Sequence, residues 1–368
     1  MKIGVPKEIK ADENRVALTP AGARTLVEAG HQVDIERNAG LGSGFTNGDY
    51  ESAGARIVST KAAWDAELVL KVKEPVSSEY GFLQQQLLFT YFHLAGVEPK
   101  LTETLLARNT TAIAYETVED GSGSLPLLAP MSAVAGSMAV TVGNYYLAKF
   151  NGGRGMLLAE LFDQRFGKVL VIGDGVVGQH SAKVAARLGA EVHVAGKRPD
   201  KTRNLAKALD IDLHFIESNE ANIGAHLGDA DLVIGAVLVR GGRTPHVLSE
   251  AMVKTMQPGS VIVDVSIDQG GCVETARATT HSDPVYARHD VIHYCVANMP
   301  GAYPRLSTIA LTRATLPYVI ALATEGEDAL RRDPGFGKGV NTYRGHITCQ
   351  PVATSLAMES RYEPLRSL

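Results

Sequence analysis

Short apolar segments alternate with amphipathic segments along most of the chain. Over residues 1–125 the helical pattern TPAGARTLVEAG and others like it separate the apolar segments KIGVP, HQVDIE, ELVLKVKEP, QLLFTYF and TAIAYETV. Strands that alternate with helices predict an α/β domain built around a mainly parallel sheet. The first helix has clear boundary signals, with Thr19 as N-cap, Pro20 at the first helical position and Gly30 as a left-handed C-cap residue.

A second α/β pattern follows a segment rich in small and apolar residues. That segment, PMSAVAGSMAVTVGNYYLAKF at Pro130–Phe150, predicts a long buried helix that links two domains, and NGGRG ends it. Nearly continuous Val, Ile and Leu residues then predict strands of a parallel sheet covered on both faces. These strands lie near Val169–Ile172, Glu191–Ala195, Leu232–Val237 and Val261–Val265.

The last segment of the chain contains no third domain pattern. The helical pattern STIALTRATLPYVIALATEG follows VANMPG, and we expect these C-terminal helices to return to the first domain. The predicted fold is therefore α/β, with two Rossmann-like doubly wound domains, the first of them discontinuous. Residues 1–128 plus 302–368 form the predicted substrate and catalytic domain, and residues 129–301 form the predicted dinucleotide-binding domain.

Composition and charge narrow the class of protein. The chain has 368 residues, 45% of them hydrophobic, and a net charge of -4, which gives no reason to expect nucleic acid or an anionic membrane as a partner. The apolar runs are shorter than the roughly 20 residues that span a bilayer, so we predict no transmembrane helix. MKIGVPKEIK lacks the pattern of a signal peptide, which favours the cytoplasm. Cys272, Cys295 and Cys349 lie far apart and lack zinc spacing, so three reduced thiols and no metal site are predicted.

A glycine-rich turn is the clearest motif in the sequence. Gly173, Gly175 and Gly178 have GxGxxG spacing directly after a predicted strand, and a helix follows that begins near Val176 and Val177. This arrangement is typical of a dinucleotide site, because the glycines permit a tight turn and close approach of the pyrophosphate to the helix N-terminus. A turn without a ligand is the alternative.

The residues after the next strand indicate which dinucleotide binds. The acidic residue that usually binds the adenosine ribose is expected here, but Gly196 occupies its place, followed by Lys197 and Arg198. Two cations without the acid favour a 2'-phosphate, so NADP is favoured over NAD. The alternative is that Lys197 and Arg198 form a solvated loop and that NAD binds without the usual acid, with Asp200 as a substitute.

Candidate reactive residues lie mainly near the ends of predicted strands. Arg15 follows KADEN, while Lys73, His93 and Asp268 lie at or just beyond a strand end, where ligands of open α/β sheets bind. Two cations suit a carboxylate substrate, and a histidine with an aspartate suits proton transfer near neutral pH. Taken singly, each residue has a structural alternative as a surface cation, a strand-edge charge, a satisfied histidine or a helix cap.

Long motifs spread over both predicted domains resemble those of the alanine dehydrogenase family. They include GVPKEIK, ENRVALTPAG, LKVKEP, AYETV, LPLLAPMS, GAVL, VIVDVSIDQGGC, HYCVANMPGA and ATLPYV. The resemblance implies reversible conversion of L-alanine to pyruvate and ammonia with NAD(P), by a soluble homo-oligomer that is commonly a hexamer. It implies that Arg15 and Lys73 bind the substrate and that His93 and Asp268 are catalytic.

The resemblance also implies further residues that line the cofactor and substrate site. These are Tyr115, Ser132, Leu238 and Asn298. The chain departs from the family pattern at Gly196, at the link LLAELFDQRFGK, and at Ala133 and Ser137, where the family usually has a glutamate and an arginine. The departures lie in the cofactor-binding half, so the cofactor is the property that transfers least securely.

Three other functions are consistent with the sequence. A related dehydrogenase acting on another small amino acid would use the same carboxylate-binding cations. A nucleotide-binding subunit resembling that of proton-pumping transhydrogenase would share the fold, although Lys73 and His93 argue against it. A catalytically silent nucleotide sensor is the third. Turnover with several small amino acids separates these functions.

Overall fold

The computed structural model describes residues 1–239 and 244–368 of the chain. Its strands, in chain order, are β1 Lys2–Val5, β2 Gln32–Glu36, β3 Arg56–Val58, β4 Leu68–Leu70, β5 Leu87–Thr90, β6 Thr111–Ala114, β7 Ala159–Leu161, β8 Gln164–Phe166, β9 Lys168–Ile172, β10 Glu191–Gly196, β11 His214–Glu217, β12 Leu232–Gly235, β13 Val261–Asp264, β14 Val285–Arg288, β15 Val291–Tyr294, β16 Val340–Tyr343 and β17 His346–Ile347.

The helices lie between these strands and after the last of them. In chain order they are α1 Pro20–Glu28, α2 Asn47–Ser52, α3 Thr60–Trp64, α4 Pro99–Ala107, α5 Ala129–Tyr146, α6 Val176–Leu188, α7 Pro199–Leu209, α8 Glu220–Leu227, α9 Glu250–Val253, α10 Pro304–Glu325, α11 Asp328–Arg332, α12 Pro334–Gly337 and α13 Gln350–Ser355. Short 3-10 turns, such as Leu94–Gly96 and Val265–Gln269, follow several of the strands.

The chain forms two compact units. Unit 1 consists of Met1–Met131 and Gly301–Leu368, and unit 2 consists of Ser132–Pro300. The sheet of unit 1 has the order β17-β16-β6-β5-β4-β1-β2-β3. Strands β1 to β6 pair in parallel, whereas β16 pairs antiparallel with β6 and β17 antiparallel with β16.

The sheet of unit 2 is parallel except at one edge. Its order is β11-β10-β9-β12-β13-β15-β14, and only the pairing of β14 with β15 is antiparallel among the described strands of this sheet. One apolar cluster contains Val169, Val171 and Ile234, and another contains Leu170, Ile172 and Val233. Alternate residues of β9 and β12 thus belong to different clusters, as expected for a sheet buried on both faces. Strands β7 and β8 form a separate antiparallel hairpin.

These features confirm the predicted α/β fold class with parallel-dominated sheets. The boundary signals of α1 are also confirmed. The Thr19 side chain accepts a hydrogen bond from the Gly22 amide, Pro20 is the first helical residue, and Gly30 has a φ of 86°. Proline fixes the φ that a first helical turn needs, and glycine reaches the left-handed region without strain.

Two segments differ from their prediction. Helix α5 ends at Tyr146 rather than continuing to Phe150, because the Asn151 side chain donates a hydrogen bond to the Tyr145 carbonyl and ends the helical ladder. The C-terminal segment contains strands as well as the expected helices. Strand β16 carries a register shift between Val340 and Thr342, which weakens the period-2 pattern by which a strand is recognised in sequence.

Among the helices of residues 1–239 and 244–368, α10 is the one that is long and apolar enough to cross a membrane. Buried polar side chains of α10, however, form hydrogen bonds with the backbone of the N-terminal segment of unit 1. The Val16 amide donates to Thr308 Oγ1 at 3.1 Å, and Thr312 Oγ1 donates to the Ala17 carbonyl at 3.5 Å. A core helix passes the same test, and these hydrogen bonds support that interpretation.

Candidate functional site

The Arg15 side chain is buried in unit 1 and forms an ion pair with the Glu13 carboxylate. Its side chain is 2% exposed, and its Nε donates to Glu13 Oε1 at 2.7 Å while Nη2 donates to Glu13 Oε2 at 2.5 Å. Burial alone would lower the pKa of Arg15, but the hydrogen bonds and charge of Glu13 outweigh it and raise that pKa. The two-point contact fixes the plane of the guanidinium.

A buried network of charges lies just beyond β4. Lys71 Nζ donates to Glu8 Oε2 at 3.0 Å and to Glu79 Oε1 at 3.1 Å, and the Lys71 side chain has no exposed surface. Glu8 Oε1 accepts the backbone amides of Val72 at 2.6 Å and Lys73 at 3.4 Å. The Glu8 carboxylate therefore sets the course of the backbone at Lys73, where the parallel strand has ended.

His93 lies just beyond β5 in an unusual backbone conformation. Its φ of 48° and ψ of 38° are left-handed, and its amide donates to Glu116 Oε1 at 2.6 Å. The ring is stacked on Tyr91 with 5.8 Å between centroids, and its side chain is 45% exposed. A non-glycine residue in this region costs roughly 1–3 kcal/mol, and such strain is found most often at functional sites.

Tyr115 lies directly after β6 with its ring buried. The ring packs edge-on against Phe89 at 4.4 Å and Tyr91 at 4.9 Å between centroids. Its hydroxyl is buried and has no hydrogen-bond partner among the residues that the structure describes. The Tyr91 hydroxyl, in contrast, donates to the Leu127 carbonyl at 2.6 Å. Burial raises the pKa of both tyrosines, so both are neutral hydroxyls near pH 7.

The glycine-rich turn of unit 2 fits a dinucleotide. Gly173 has a φ of 123°, which only glycine adopts readily, and a Cβ at Gly178 would lie 1.8 Å from the Gly173 carbonyl oxygen. A Cβ at Gly175, in contrast, would meet no atom within 4 Å, so space is open above the turn. Val176 and Val177 begin α6, whose first-turn amides lack acceptors within the helix and suit a phosphate.

A carboxylate does lie at the end of β10, contrary to the sequence-based expectation. A Cβ built on Gly196 would be 2.9 Å from Asp174 Oδ2, so the carboxylate of the glycine-rich turn lies directly beside the end of β10. Asp174 Oδ2 accepts the amides of Lys197 at 2.9 Å and Arg198 at 2.8 Å, and Arg198 Nη2 donates to Oδ1 at 2.8 Å. Asp174 was not predicted, because only β10 and the residues that follow it were considered as sources of an acid.

Other predicted residues of unit 2, both cofactor-binding and catalytic, lie at the carboxyl edge of its sheet. Leu238 follows β12 and is half-exposed, while Asp268 lies in the 3-10 turn after β13. Asn298 follows β15, and its amide donates to Asp268 Oδ1 at 3.1 Å. The neighbouring strands β9, β12, β13 and β15 thus present these residues at their carboxyl ends, where ligands of such sheets bind. Ser132 lies in α5 and is half-buried.

The cysteines have structural environments. Cys272, Cys295 and Cys349 are free thiols, as predicted, and the first two are buried. Cys272 Sγ donates to Asp264 Oδ1 at 3.5 Å, and burial followed by the Asp264 charge raises the pKa of Cys272 well above its ordinary value. A protonated buried thiol is a poor nucleophile.

Family models match nearly the whole chain. The model described as "Alanine dehydrogenase/PNT, N-terminal domain" matches residues 4–135, and "Alanine dehydrogenase/PNT, C-terminal domain" matches residues 139–350. The chain belongs to the alanine dehydrogenase/PNT family. It is 50% identical to the alanine dehydrogenase of Staphylococcus epidermidis over 98% of both chains, and equally identical to alanine dehydrogenase 2 of Staphylococcus aureus over 98% of this chain and 97% of that one.

Solved structures support the same family assignment. A structure of L-alanine dehydrogenase matches with a TM-score of 0.92 and 48% identity, covering 97% of this chain and 99% of that chain. The transhydrogenase from Sinorhizobium meliloti matches with a TM-score of 0.80, covering 94% of this chain and 100% of that chain. Its identity is 24%, so this second match shows the shared fold alone.

Three carboxylates that accept hydrogen bonds from the backbone at predicted site residues were not predicted from the sequence. Glu8, Glu116 and Asp174 each follow a strand and each bind backbone amides next to a predicted site residue. In sequence, Glu8 is 64 residues from Val72, Glu116 is 23 residues from His93, and Asp174 is 24 residues from Arg198. No local spacing in the sequence therefore reveals these contacts. The usable signal was an acidic residue just beyond a predicted strand, the criterion already applied to Lys73 and His93.

Replacing Lys71 tests the buried network of unit 1. Lys71→Met leaves the Glu8 and Glu79 carboxylates buried without their cation, and we expect a loss of about 3–5 kcal/mol in the free energy of unfolding. Burial already raises the pKa of Glu8, although Lys71 lowers it in part. Because a raised folded pKa costs stability above that pKa, the deficit should be larger at pH 8 than at about pH 5.

Urea unfolding followed by circular dichroism measures this deficit. Lys100→Met is the matched control, because Lys100 is 70% exposed and its pair with Glu103 lies on a helix surface. We expect the control to stay within about 0.5 kcal/mol of the unsubstituted protein. Equal stability of Lys71→Met and Lys100→Met would refute the role of the network.

Proposed function

We propose that the chain catalyses the reversible oxidative deamination of L-alanine to pyruvate and ammonia, with a nicotinamide dinucleotide as cofactor. The observation that carries this proposal is 50% identity to alanine dehydrogenases over 98% of the chain, together with an L-alanine dehydrogenase structure matched at a TM-score of 0.92. A transhydrogenase-like function has less support, since that relative is 24% identical.

In this proposal Arg15 and Lys73 bind the substrate. The two-point contact with Glu13 holds the Arg15 guanidinium in one orientation, and a planar guanidinium is suited to a carboxylate. The Lys73 ammonium, on backbone held by Glu8, is a point charge suited to the carbonyl oxygen of pyruvate. Glu13 positions Arg15 and Glu8 positions the backbone of Lys73, so neither carboxylate needs to contact the substrate itself.

His93 and Asp268 are the proposed proton-transfer groups. The α-hydrogen leaves as hydride only when the amine is neutral, so a base must first accept the ammonium proton, and the imine that follows needs an activated water. Glu116 holds the His93 backbone through its amide, and the Asp268 carboxylate accepts the Asn298 amide. A nicotinamide bound here would supply the hydride acceptor, and in its reduced form it would supply the hydride of the reverse reaction.

The glycine-rich turn is the proposed pyrophosphate site, and the turn after β10 is the proposed adenosine-ribose site. Gly173, Gly175 and Gly178 allow the backbone to approach the phosphates. The side chains of Lys197 and Arg198 favour NADP over NAD, and the Arg198 side chain is 57% exposed despite its ion pair. In keeping with the family resemblance, we further propose a cytoplasmic homo-oligomer, with a hexamer as the expected form.

Turnover by the purified full chain tests the reaction. We expect L-alanine with oxidised dinucleotide to give reduced nicotinamide, and pyruvate with ammonia to consume it, followed by absorbance of the reduced ring. Serine, 2-aminobutyrate and glycine are the comparison substrates. A higher kcat/KM for one of these would favour a related amino acid dehydrogenase, and no amino-acid-dependent reduction at all would refute the proposal.

Substitution of the proposed proton-transfer residues tests their roles. We expect His93→Ala and Asp268→Ala each to lower kcat by about 10²–10⁴-fold, because general acid–base catalysis contributes about that much. His214→Ala is the matched control, since His214 is 47% exposed against 45% for His93 and lies at the amino end of β11. If both catalytic variants kept kcat within a few-fold of the control, the assignment would be wrong.

Comparison of the two dinucleotides tests the cofactor. A hydrogen bond to a charged group contributes about 1.5–3 kcal/mol, so we expect kcat/KM to be at least about tenfold higher with NADP than with NAD. Lys197→Ala should reduce this ratio while leaving kcat/KM with NAD nearly unchanged. A preference of the unsubstituted protein for NAD would exclude the NADP assignment and leave the reaction class intact.

A further inference from the structure

Asp174 occupies the place that a side chain at position 196 would need. A Cβ on Gly196 would lie 2.8 Å from Asp174 Cβ and 2.9 Å from Asp174 Oδ2. Such separations are too short for carbon atoms in contact. The carboxylate of the glycine-rich turn and a side chain at the end of β10 therefore exclude each other, and this chain has the carboxylate.

The three donors to Asp174 all come from the turn after β10. Two are the backbone amides of Lys197 and Arg198, and the third is Arg198 Nη2. One short side chain thus fixes both the path of the turn and the direction of the guanidinium. Asp174 is also ionised near neutral pH, since these hydrogen bonds outweigh burial and its pKa is lowered.

Of the ion pair between Asp174 and Arg198, the arginine side chain is the one exposed to solvent. The Asp174 side chain is 8% exposed, whereas the Arg198 side chain is 57% exposed. A carboxylate that binds ribose hydroxyls must itself be accessible to them, but here the cation is accessible and the carboxylate lies behind it. A guanidinium has five N–H donors, so the hydrogen bond from Nη2 leaves others for a ligand.

We infer that Asp174 is a positioning residue that holds Arg198 to bind the 2'-phosphate of NADP. This inference rests on the proposed cofactor-binding function. The negative charge of Asp174 is shared among three donors, so its repulsion of a phosphate is reduced. Lys197 adds a second cation on the same turn. Holding Arg198 in place before the ligand arrives reduces the side-chain entropy lost on binding.

Binding of two fragments measures this role without catalysis. Adenosine 2',5'-bisphosphate and 5'-AMP differ only in the 2'-phosphate, and isothermal titration calorimetry gives the Kd of each for the full chain. We expect the unsubstituted protein to bind the bisphosphate more tightly. Asp174→Asn should weaken bisphosphate binding about tenfold and change 5'-AMP binding less than about twofold, because asparagine keeps the shape but loses the ion pair.

A double-mutant cycle with Arg198 confirms that the two residues act together. If Asp174 acts through Arg198, Asp174→Asn should have little effect on bisphosphate affinity in an Arg198→Ala background. Asp212→Asn is the matched control, because Asp212 also pairs with an arginine, Arg165 at 2.9 Å, elsewhere in unit 2. The control should leave both Kd values unchanged, and Tm values verify that each variant is folded.

Three results with Asp174→Asn would overturn the role of Asp174. Tighter bisphosphate binding by Asp174→Asn would mean that Asp174 merely repels the phosphate. Weaker 5'-AMP binding with unchanged bisphosphate binding would mean that Asp174 binds the ribose hydroxyls and that NAD is the cofactor. Full retention of the preference by Asp174→Asn would show that Arg198 needs no positioning. Equal binding of both fragments by the unsubstituted protein would instead refute the NADP proposal itself, and with it this role, while alanine turnover remains a separate measurement.

Discussion

The backbone amides just beyond the strand ends need hydrogen-bond acceptors, and carboxylates supply them at three strand ends beside predicted site residues. A parallel ladder stops at the last paired residue, and a buried amide left without an acceptor costs about 1–3 kcal/mol. Glu8 accepts the amides of Val72 and Lys73, and Glu116 accepts that of His93. Asp174 accepts those of Lys197 and Arg198. The same carboxylates that satisfy the backbone therefore fix the residues proposed to bind substrate and cofactor.

Acidic residues are also buried beside cations in unit 1. Glu13 and Arg15 are nearly inaccessible, and so are Glu8 and Lys71. Taking such charges out of water is costly unless hydrogen bonds and opposite charges compensate for it, and that compensation favours one arrangement of the side chains over others. Rigid placement of Arg15 is thus linked to folding itself.

Strands, helix boundaries and tight turns could be predicted, because each depends on the pattern of neighbouring residues in the sequence. The strands of the parallel sheets follow from apolar runs, α1 follows from Thr19 and Pro20, and the glycine-rich turn follows from its spacing. Contacts between distant residues were not predictable in this way. Asp174 is an ordinary residue of the turn until folding brings it to Gly196, and β16 is obscured by its register shift. The family resemblance supplied roles for Arg15, Lys73, His93 and Asp268, but not the acids that hold three of them.

The crowding at Gly196 has a consequence for how cofactor use can change during evolution. Introducing an acid at position 196 by one mutation would place its Cβ 2.9 Å from Asp174 Oδ2, closer than unbonded atoms tolerate. Losing Asp174 first would leave the amides of Lys197 and Arg198 without their acceptor. Either order passes through an intermediate with a damaged nucleotide site. An acid at position 196 would therefore require a change at Asp174 as well, so the residues at these two positions can change only together.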